Sequence, residues 1–169
     1  SFERTTNGIP HACVYVNMNG KKTNNQYEFE QGHTLAKDNK TVIIEHLYAT
    51  TYKTGVYNKP RVKDNAMYVH KYADEPASGF RYQLIYSDYG NCDILRALNR
   101  KGGADCELYV HDKYVDDGPT PNCEGVYGYA CGSDDLRYRQ QVYFQSCRAE
   151  TETTTPTPLI YSTSSGGCK

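Results

Sequence analysis

The chain has 169 residues, seven of which are cysteine, and a formal net charge of −1. This length fits one domain, and so small a charge creates no overall field that would favour nucleic acid or an acidic membrane as a partner. No apolar run approaches the roughly 18 residues of a membrane-spanning helix. The aromatic residues are mostly tyrosine, with 17 copies against four phenylalanines and no tryptophan.

The first third of the chain predicts three strands. Residues 11–18, 25–31 and 41–49 are rich in β-branched or alternating apolar side chains. Asn19-Gly20 predicts a hairpin turn between the first two, because these residue types adopt the left-handed backbone that a tight hairpin needs. We expect the polar stretch 32–39 to be a loop.

The centre of the chain predicts an antiparallel meander. Residues 66–72 and 80–86 are expected to pair across the turn between them, with 93–98 and 106–111 as the next two strands. Alternate residues of a strand lie on one side of the sheet. This alternation predicts one shared face with Tyr68, His70 and Tyr72 and another with Phe80, Tyr82, Leu84 and Tyr86.

After this meander, Asn122 is expected to cap a short helix to about Ala130, and residues 136–145 to form a last strand. The composition then changes to Thr, Ser, Pro and Gly, which predicts a domain over residues 1–147 and an extended or disordered tail over 148–169. Seven or eight strands joined in sequence predict a closed up-and-down barrel or a sandwich. An eight-stranded barrel has room for one small ligand.

Seven cysteines without a CxxC pair predict disulfides in an oxidising compartment rather than a metal site. Their spacing alone does not choose among the possible pairings. Asn39-Lys40-Thr41 is a glycosylation sequon, which fits a secreted chain. The sequence has no nucleophile motif, metal-ligand spacing or phosphate-binding loop, so we expect neither an enzyme nor a bound cofactor or metal.

The cysteines and their flanking residues form a specific frame. It consists of Cys13, Tyr86-Ser87-Asp88, Asn91-Cys92-Asp93, Cys106-Glu107-Leu108-Tyr109-Val110, Pro121-Asn122-Cys123, Tyr127, Cys131 and Cys147. This frame resembles that of the tick salivary lipocalins, and among them the histamine-binding proteins, over residues 1–147. The resemblance implies an all-β fold, an eight-stranded antiparallel up-and-down lipocalin barrel with a C-terminal α-helix packed outside. Because that family begins with a helix and a Trp-bearing strand, we expect further N-terminal residues before Ser1.

The resemblance also implies how the cysteines pair. It implies Cys13–Cys147 and Cys92–Cys123, which leaves Cys106–Cys131 as the third disulfide. Cys168 is then left over. It pairs with a cysteine of the expected N-terminal segment or of another chain, or it stays a free thiol in the tail.

Aromatic and acidic side chains on one inferred surface predict the ligand site. A barrel lumen lined by tyrosine and phenylalanine with a few carboxylates suits a small aromatic cation, through ring contacts and charge-assisted hydrogen bonds. The resemblance places Tyr82 where the family carries a carboxylate. The expected ligand-binding residues are Glu45, His70, Tyr72, Phe80, Tyr82, Asp93, Glu107 and Tyr109.

Structural roles compete with this interpretation. A tyrosine or phenylalanine at strand spacing more often packs in a core than contacts a ligand, and Glu45 among apolar neighbours is also compatible with a strand end or with an arginine partner. His70 is more often a satisfied polar residue than a ligand contact.

The resemblance implies a secreted binding protein that sequesters a host mediator to suppress inflammation. We expect a small-molecule ligand, in the first place a biogenic amine such as histamine or serotonin. The alternatives are a lipid (cholesterol, a fatty acid or a leukotriene) and a host immune protein or cell bound through the tyrosine-rich loops. We expect no nucleic-acid partner and no membrane span.

Overall fold

The structure, a computed structural model, describes residues 5–36, 38–55, 59, 61–75, 77–99, 105–132 and 139–151. This part of the chain folds mainly as one antiparallel sheet. Its strands are β1 (Thr5–Thr6), β2 (Ile9–Lys21), β3 (Gln26–Leu35), β4 (Asp38–Tyr52), β5 (Ala66–His70), β6 (Phe80–Ser87), β7 (Cys92–Ala97) and β8 (Asp105–Val110). Its helices are a 3₁₀ turn (Asp112–Tyr114), α1 (Pro121–Cys131) and α2 (Ser146–Thr151). No helix in these ranges has the length and apolarity to cross a membrane.

The strands pair in chain order, each antiparallel to the next. Since β1 has only two residues, the seven strands β2–β8 make up nearly the whole sheet, which curls into a half-barrel. Over the described residues, no pairing joins β8 to β1 or β2. The all-β meander is therefore confirmed, while the eight-stranded closed barrel stays a prediction.

The register divides the sheet into two faces. Phe29 pairs with Leu47, and their side of the sheet continues through Ala49, Val69 and Met67. These five side chains pack together as one hydrophobic cluster. We call this side the inner face. It reaches β6 because Met67 pairs with Tyr82.

The outer face carries helix α1 over the last strands. Cys92 and Ile94 on β7 are fully buried against Cys123 of the helix. Two disulfides attach the helix to the sheet, Cys92–Cys123 and Cys106–Cys131, as the resemblance implies. The expected helix is confirmed, but Asn122 is not its cap. Thr120 holds that position, and its hydroxyl accepts a hydrogen bond from the Cys123 N–H.

Two predictions near the start of the chain are wrong. Asn19-Gly20 does not form the hairpin turn, because β2 continues through it to Lys21 and a bulge lies between Met18 and Gly20. Gly20 uses its positive φ of 143° in this irregular strand. The expected loop over 32–39 is mostly strand, with a turn at Ala36 between β3 and β4.

Gly32 explains why the polar stretch after residue 31 stays in the sheet. It pairs with Tyr15, and a Cβ at this position would overlap the Tyr15 ring. Because Gly32 has no side chain, the Tyr15 ring can lie directly against it on the sheet. His33 and Thr34 next to it are buried despite their polarity.

A second bulge changes the predicted face of β6. It lies between Leu84 and Tyr86, after which Tyr86 pairs with Ile94 and packs in the outer cluster beneath α1. Phe80, Tyr82 and Leu84 thus share the inner face as expected, whereas Tyr86 does not.

Residues 139–147 connect β2 with the segment that follows β8, since Tyr143 bonds to Asp116 and Cys147 to Cys13. Residues 139–145 are not in a strand, so the expected last strand is wrong over this range, and its residues 136–138 lie outside the described part. The segment bonds to β2 through the Val14 N–H and the Val142 carbonyl, and it is fixed there by the disulfide Cys13–Cys147. Helix α2 spans the boundary placed at residue 148. Cys168 and the rest of the tail lie outside the described residues.

Candidate ligand-binding site

Glu107 is the centre of a polar cluster on the inner face. Its position follows from the register, since it pairs with Leu95, which in turn pairs with inner-face Leu84. The Tyr109 hydroxyl donates to Glu107 Oε2 at 2.8 Å, and the Tyr82 hydroxyl donates to Oε1 at 3.5 Å. Glu107 is only 9% exposed. A phenol of β6 thus meets a phenol and a buried carboxylate of β8 across the intervening strand β7.

Asp105 adds a second buried carboxylate that the sequence analysis missed. It pairs with Ala97, whose other neighbour is Tyr82, and it is 6% exposed. Asp105 and Glu107 lie two residues apart on one face of a strand, so their backbones are roughly 7 Å apart. The signal that would have found Asp105 is this same spacing. Buried carboxylates this close favour a cation between them.

Asp93 and Glu45 also lie on the inner face, but nearer its rim. Asp93 pairs with Tyr109, and its carboxylate is 3.2 Å from His111 Nε2. Glu45 forms an ion pair with Lys71 at 3.5 Å and is 38% exposed at its side chain. Each of these acids therefore has a basic partner. The surroundings of Glu45 thus include Lys71 and not only the apolar neighbours that were expected.

His70 and Tyr72 do not join the cluster. His70 follows inner-face Val69 and pairs with Tyr48, which places it on the outer face. There it is buried and bonds to Thr50 Oγ1 at 2.9 Å and to the Tyr72 carbonyl at 2.7 Å. Tyr72 lies beyond the end of β5 and is 63% exposed. His70 is therefore a buried polar residue whose two ring nitrogens have hydrogen-bond partners within the fold.

Phe80 lies on the inner face beside the apolar cluster. It is the first residue of β6 and pairs with Val69 on the inner face, with 49% of its surface exposed. The inner face thus has an apolar half around Phe29 and Leu47, and an acidic half around Glu107, with Tyr82 between them. A ligand with an apolar ring at one end and a positive charge at the other matches this division.

Other kinds of site are not formed by the described residues. No group of three or more His, Cys, Asp or Glu side chains in these ranges is placed to hold a metal ion. Two open cavities of the described part lie outside the Glu107 cluster, one beside residues 61–65 and one beside the turn that joins β3 to β2.

Comparison with known proteins assigns the family. Residues 1–149 match the family model described as tick histamine binding protein. The chain belongs to the tick histamine-binding protein family. Membership agrees with the lipocalin-like sheet and with the three disulfides, which fit an extracellular protein. Neither the curated proteins nor the solved structures include a significant match to this family member.

Proposed function

We propose that the protein sequesters a protonated aromatic amine, such as histamine or serotonin, on the inner face of its curled sheet. The observation that carries the proposal is Glu107, a buried carboxylate held between the hydroxyls of Tyr82 and Tyr109. Burial of an ionised carboxylate is unfavourable unless a positive charge or hydrogen bonds compensate it. An ammonium group would supply that charge, and the neighbouring phenol rings would contact the ligand's ring.

The family supports a binding role rather than catalysis. A secreted protein of this kind would lower the free concentration of a host mediator and so suppress inflammation. Secretion is itself part of the proposal. Glycosylation of Asn39 would accompany it, and enzymatic deglycosylation of secreted protein would then reduce its mass.

A lipid ligand is the second candidate, because one half of the inner face is apolar. Phe29, Leu47 and Ala49 form this surface together with Met67 and Val69. A sterol or fatty acid would lie along it and direct its polar head to Glu107. Tyr82 favours this alternative, since it places a bulky phenol rather than a carboxylate next to Glu107.

Calorimetric titration of ligand-stripped protein separates the two candidates. Histamine, serotonin, cholesterol and a leukotriene are titrated into the natural protein and into Glu107→Gln, which keeps the side-chain shape and removes the charge. We expect Glu107→Gln to weaken amine binding by about 1.5–3 kcal/mol, as for a lost charge-assisted hydrogen bond. Glu30→Gln, on the outer face and paired with His46, is the matched control.

The amine proposal fails if neither amine binds the natural protein while a lipid does. It also fails if an amine binds both the natural protein and Glu107→Gln equally well, because the inner-face carboxylate then has no part in recognition.

A further inference from the structure

An open notch lies at the edge of β6, separate from the Glu107 cluster. Strand β5 begins at Ala66, so the end of β6 has no strand beside it on that edge. Residues 61–65 run there instead, and the Leu84 N–H bonds to the Asn65 carbonyl at 2.9 Å. A bulge follows Leu84, and the notch beside it has a volume of about 300 Å³. This volume is at the lower end of small-molecule sites, which span about 300–1,000 Å³.

Two exposed cations line the notch, Arg61 and Lys63. One acid, Asp64, also lines the notch, and Asp88 lies in the turn next to Tyr89. Asp64 Oδ2 accepts the Thr51 hydroxyl at 2.6 Å, and Asp88 Oδ1 accepts three backbone N–H groups of its own turn. Two cations against the single carboxylate of Asp64 leave the lining of the notch with a net positive charge, in contrast to the acidic inner face. Guanidinium and ammonium groups bind carboxylates and sulfates well.

Aromatic and apolar surface surrounds these cations. Tyr86 and Tyr89 line the notch, and Val62 between the two cations is 90% exposed. Tyr89 has a left-handed backbone with φ of 57°, which is unusual for a bulky residue. Its N–H donates to Ser87 Oγ at 3.0 Å. The turn thus presents the exposed phenol of Tyr89 at the rim of the notch.

We propose that this notch is a second ligand site, for a small organic anion that carries a carboxylate or sulfate on a ring. Arg61 and Lys63 bind the anionic group, and the ring lies against Val62 and Tyr89. An anion is disfavoured on the inner face, where Asp105 and Glu107 are buried. The two sites thus take ligands of opposite charge. This inference does not depend on the proposed amine function.

The test uses two probes that carry the anion on a ring, anilinonaphthalene sulfonate and indoleacetate. Binding is followed by the fluorescence of the first probe and by its displacement with the second. The double variant Arg61→Gln/Lys63→Gln is expected to weaken both probes about tenfold, the loss of charge-assisted contacts at an exposed site. Tyr89→Ser is expected to weaken them less, and added salt to weaken binding to the natural protein.

The charge-matched control is Lys21→Gln/Lys113→Gln, two exposed cations on β2 and on the 3₁₀ turn. It should bind both probes as the natural protein does, and saturating histamine should not displace them. The proposal is overturned if the natural protein does not bind the probes. Unchanged binding by the Arg61/Lys63 variant also overturns it. So does displacement by histamine, since the probe would then lie on the inner face. Unchanged melting temperatures show that the variants are folded.

Discussion

Glu107 and His70 are both buried polar residues of the sheet, yet their neighbours give them different roles. Two donors to Glu107 are the side-chain hydroxyls of Tyr82 and Tyr109, which can turn toward a ligand. His70 instead bonds to a backbone carbonyl and to Thr50. Because a carbonyl only accepts, His70 Nδ1 donates the hydrogen bond to the Tyr72 carbonyl. His70 thus joins β5, β4 and the chain at Tyr72.

His70→Ala is expected to destabilise the fold without changing amine binding. It removes the hydrogen bonds of His70 to the Thr50 hydroxyl and to the Tyr72 carbonyl. The loss of such partners lowers the free energy of unfolding by about 1–3 kcal/mol. Chemical denaturation measures the loss, and calorimetry measures histamine affinity. His46→Ala is the control, because its side chain is 65% exposed on β4 and should matter little. A His70→Ala protein of natural stability that binds amine poorly would contradict this assignment and return His70 to the site.

At the scale of elements, the alternating strands were the predictable part. β5 to β8 lie within about two residues of their expected bounds, and β5 pairs with β6 as expected. The glycines were harder to interpret. Gly20 takes a positive φ in a bulge rather than a turn, and Gly32 makes room for Tyr15. Both uses depend on a partner strand, which local sequence does not specify.

The candidate site was predictable to a similar degree. Alternation correctly predicts that Glu107 and Tyr109 lie on one face of their strand, because a spacing of two residues is a local property of the sequence. Alternation does not say which face is the inner one, and only the register shows that His70 lies on the outer face. Alternation also does not reveal the bulge in β6. Because of this bulge, Tyr86 does not share the face of Phe80, Tyr82 and Leu84 as predicted.

The turn between β6 and β7 gives a prediction that depends on pH. Asp88 Oδ1 accepts the N–H groups of Asn91, Cys92 and Gly90, and these bonds hold the pKa of Asp88 below its ordinary value. A carboxylate with a lowered folded pKa stabilises the fold above the unfolded pKa of about 3.9 and loses this effect as pH falls through the folded pKa. We expect Asp88→Asn to melt below the natural protein at pH near 7.

The difference in melting temperature should shrink as the pH falls below about 4, because the carboxylate of the unfolded chain is then protonated, and it should vanish once the pH is below the lowered pKa of the folded protein. Asp74→Asn, an exposed acid in the turn after β5, controls for the general change of charge. A difference between Asp88→Asn and the natural protein that is constant from neutral to acidic pH would mean that charge at Asp88 is not what stabilises the turn.

At the scale of the whole molecule, one disulfide joins the two ends of the described chain. Cys13 and Cys147 are 134 residues apart in sequence, whereas the other two disulfides lie within the last strands and α1. Cys13→Ser/Cys147→Ser is therefore expected to lower the free energy of unfolding by about 3–5 kcal/mol, because a disulfide that closes a long loop removes much entropy from the unfolded chain. Denaturant titration of oxidised protein measures this loss.

Amine affinity should survive in the same variant under conditions where it stays folded. The Glu107 cluster lies on β6 and β8, and α1 is still attached to β7 and β8 by its own two disulfides. A folded variant that has lost its amine affinity would show that the closing disulfide shapes the ligand site, against this expectation.

The same long connection has a consequence for how the protein is made. Cys13 leaves the ribosome early, and at about 5–20 residues per second its partner follows roughly 7–27 s later. Four other cysteines of the described chain appear during that interval, each an available wrong partner for the waiting thiol. We therefore expect correct oxidation of this chain to need an isomerase that releases mispaired cysteines, and production without such an enzyme to yield scrambled species.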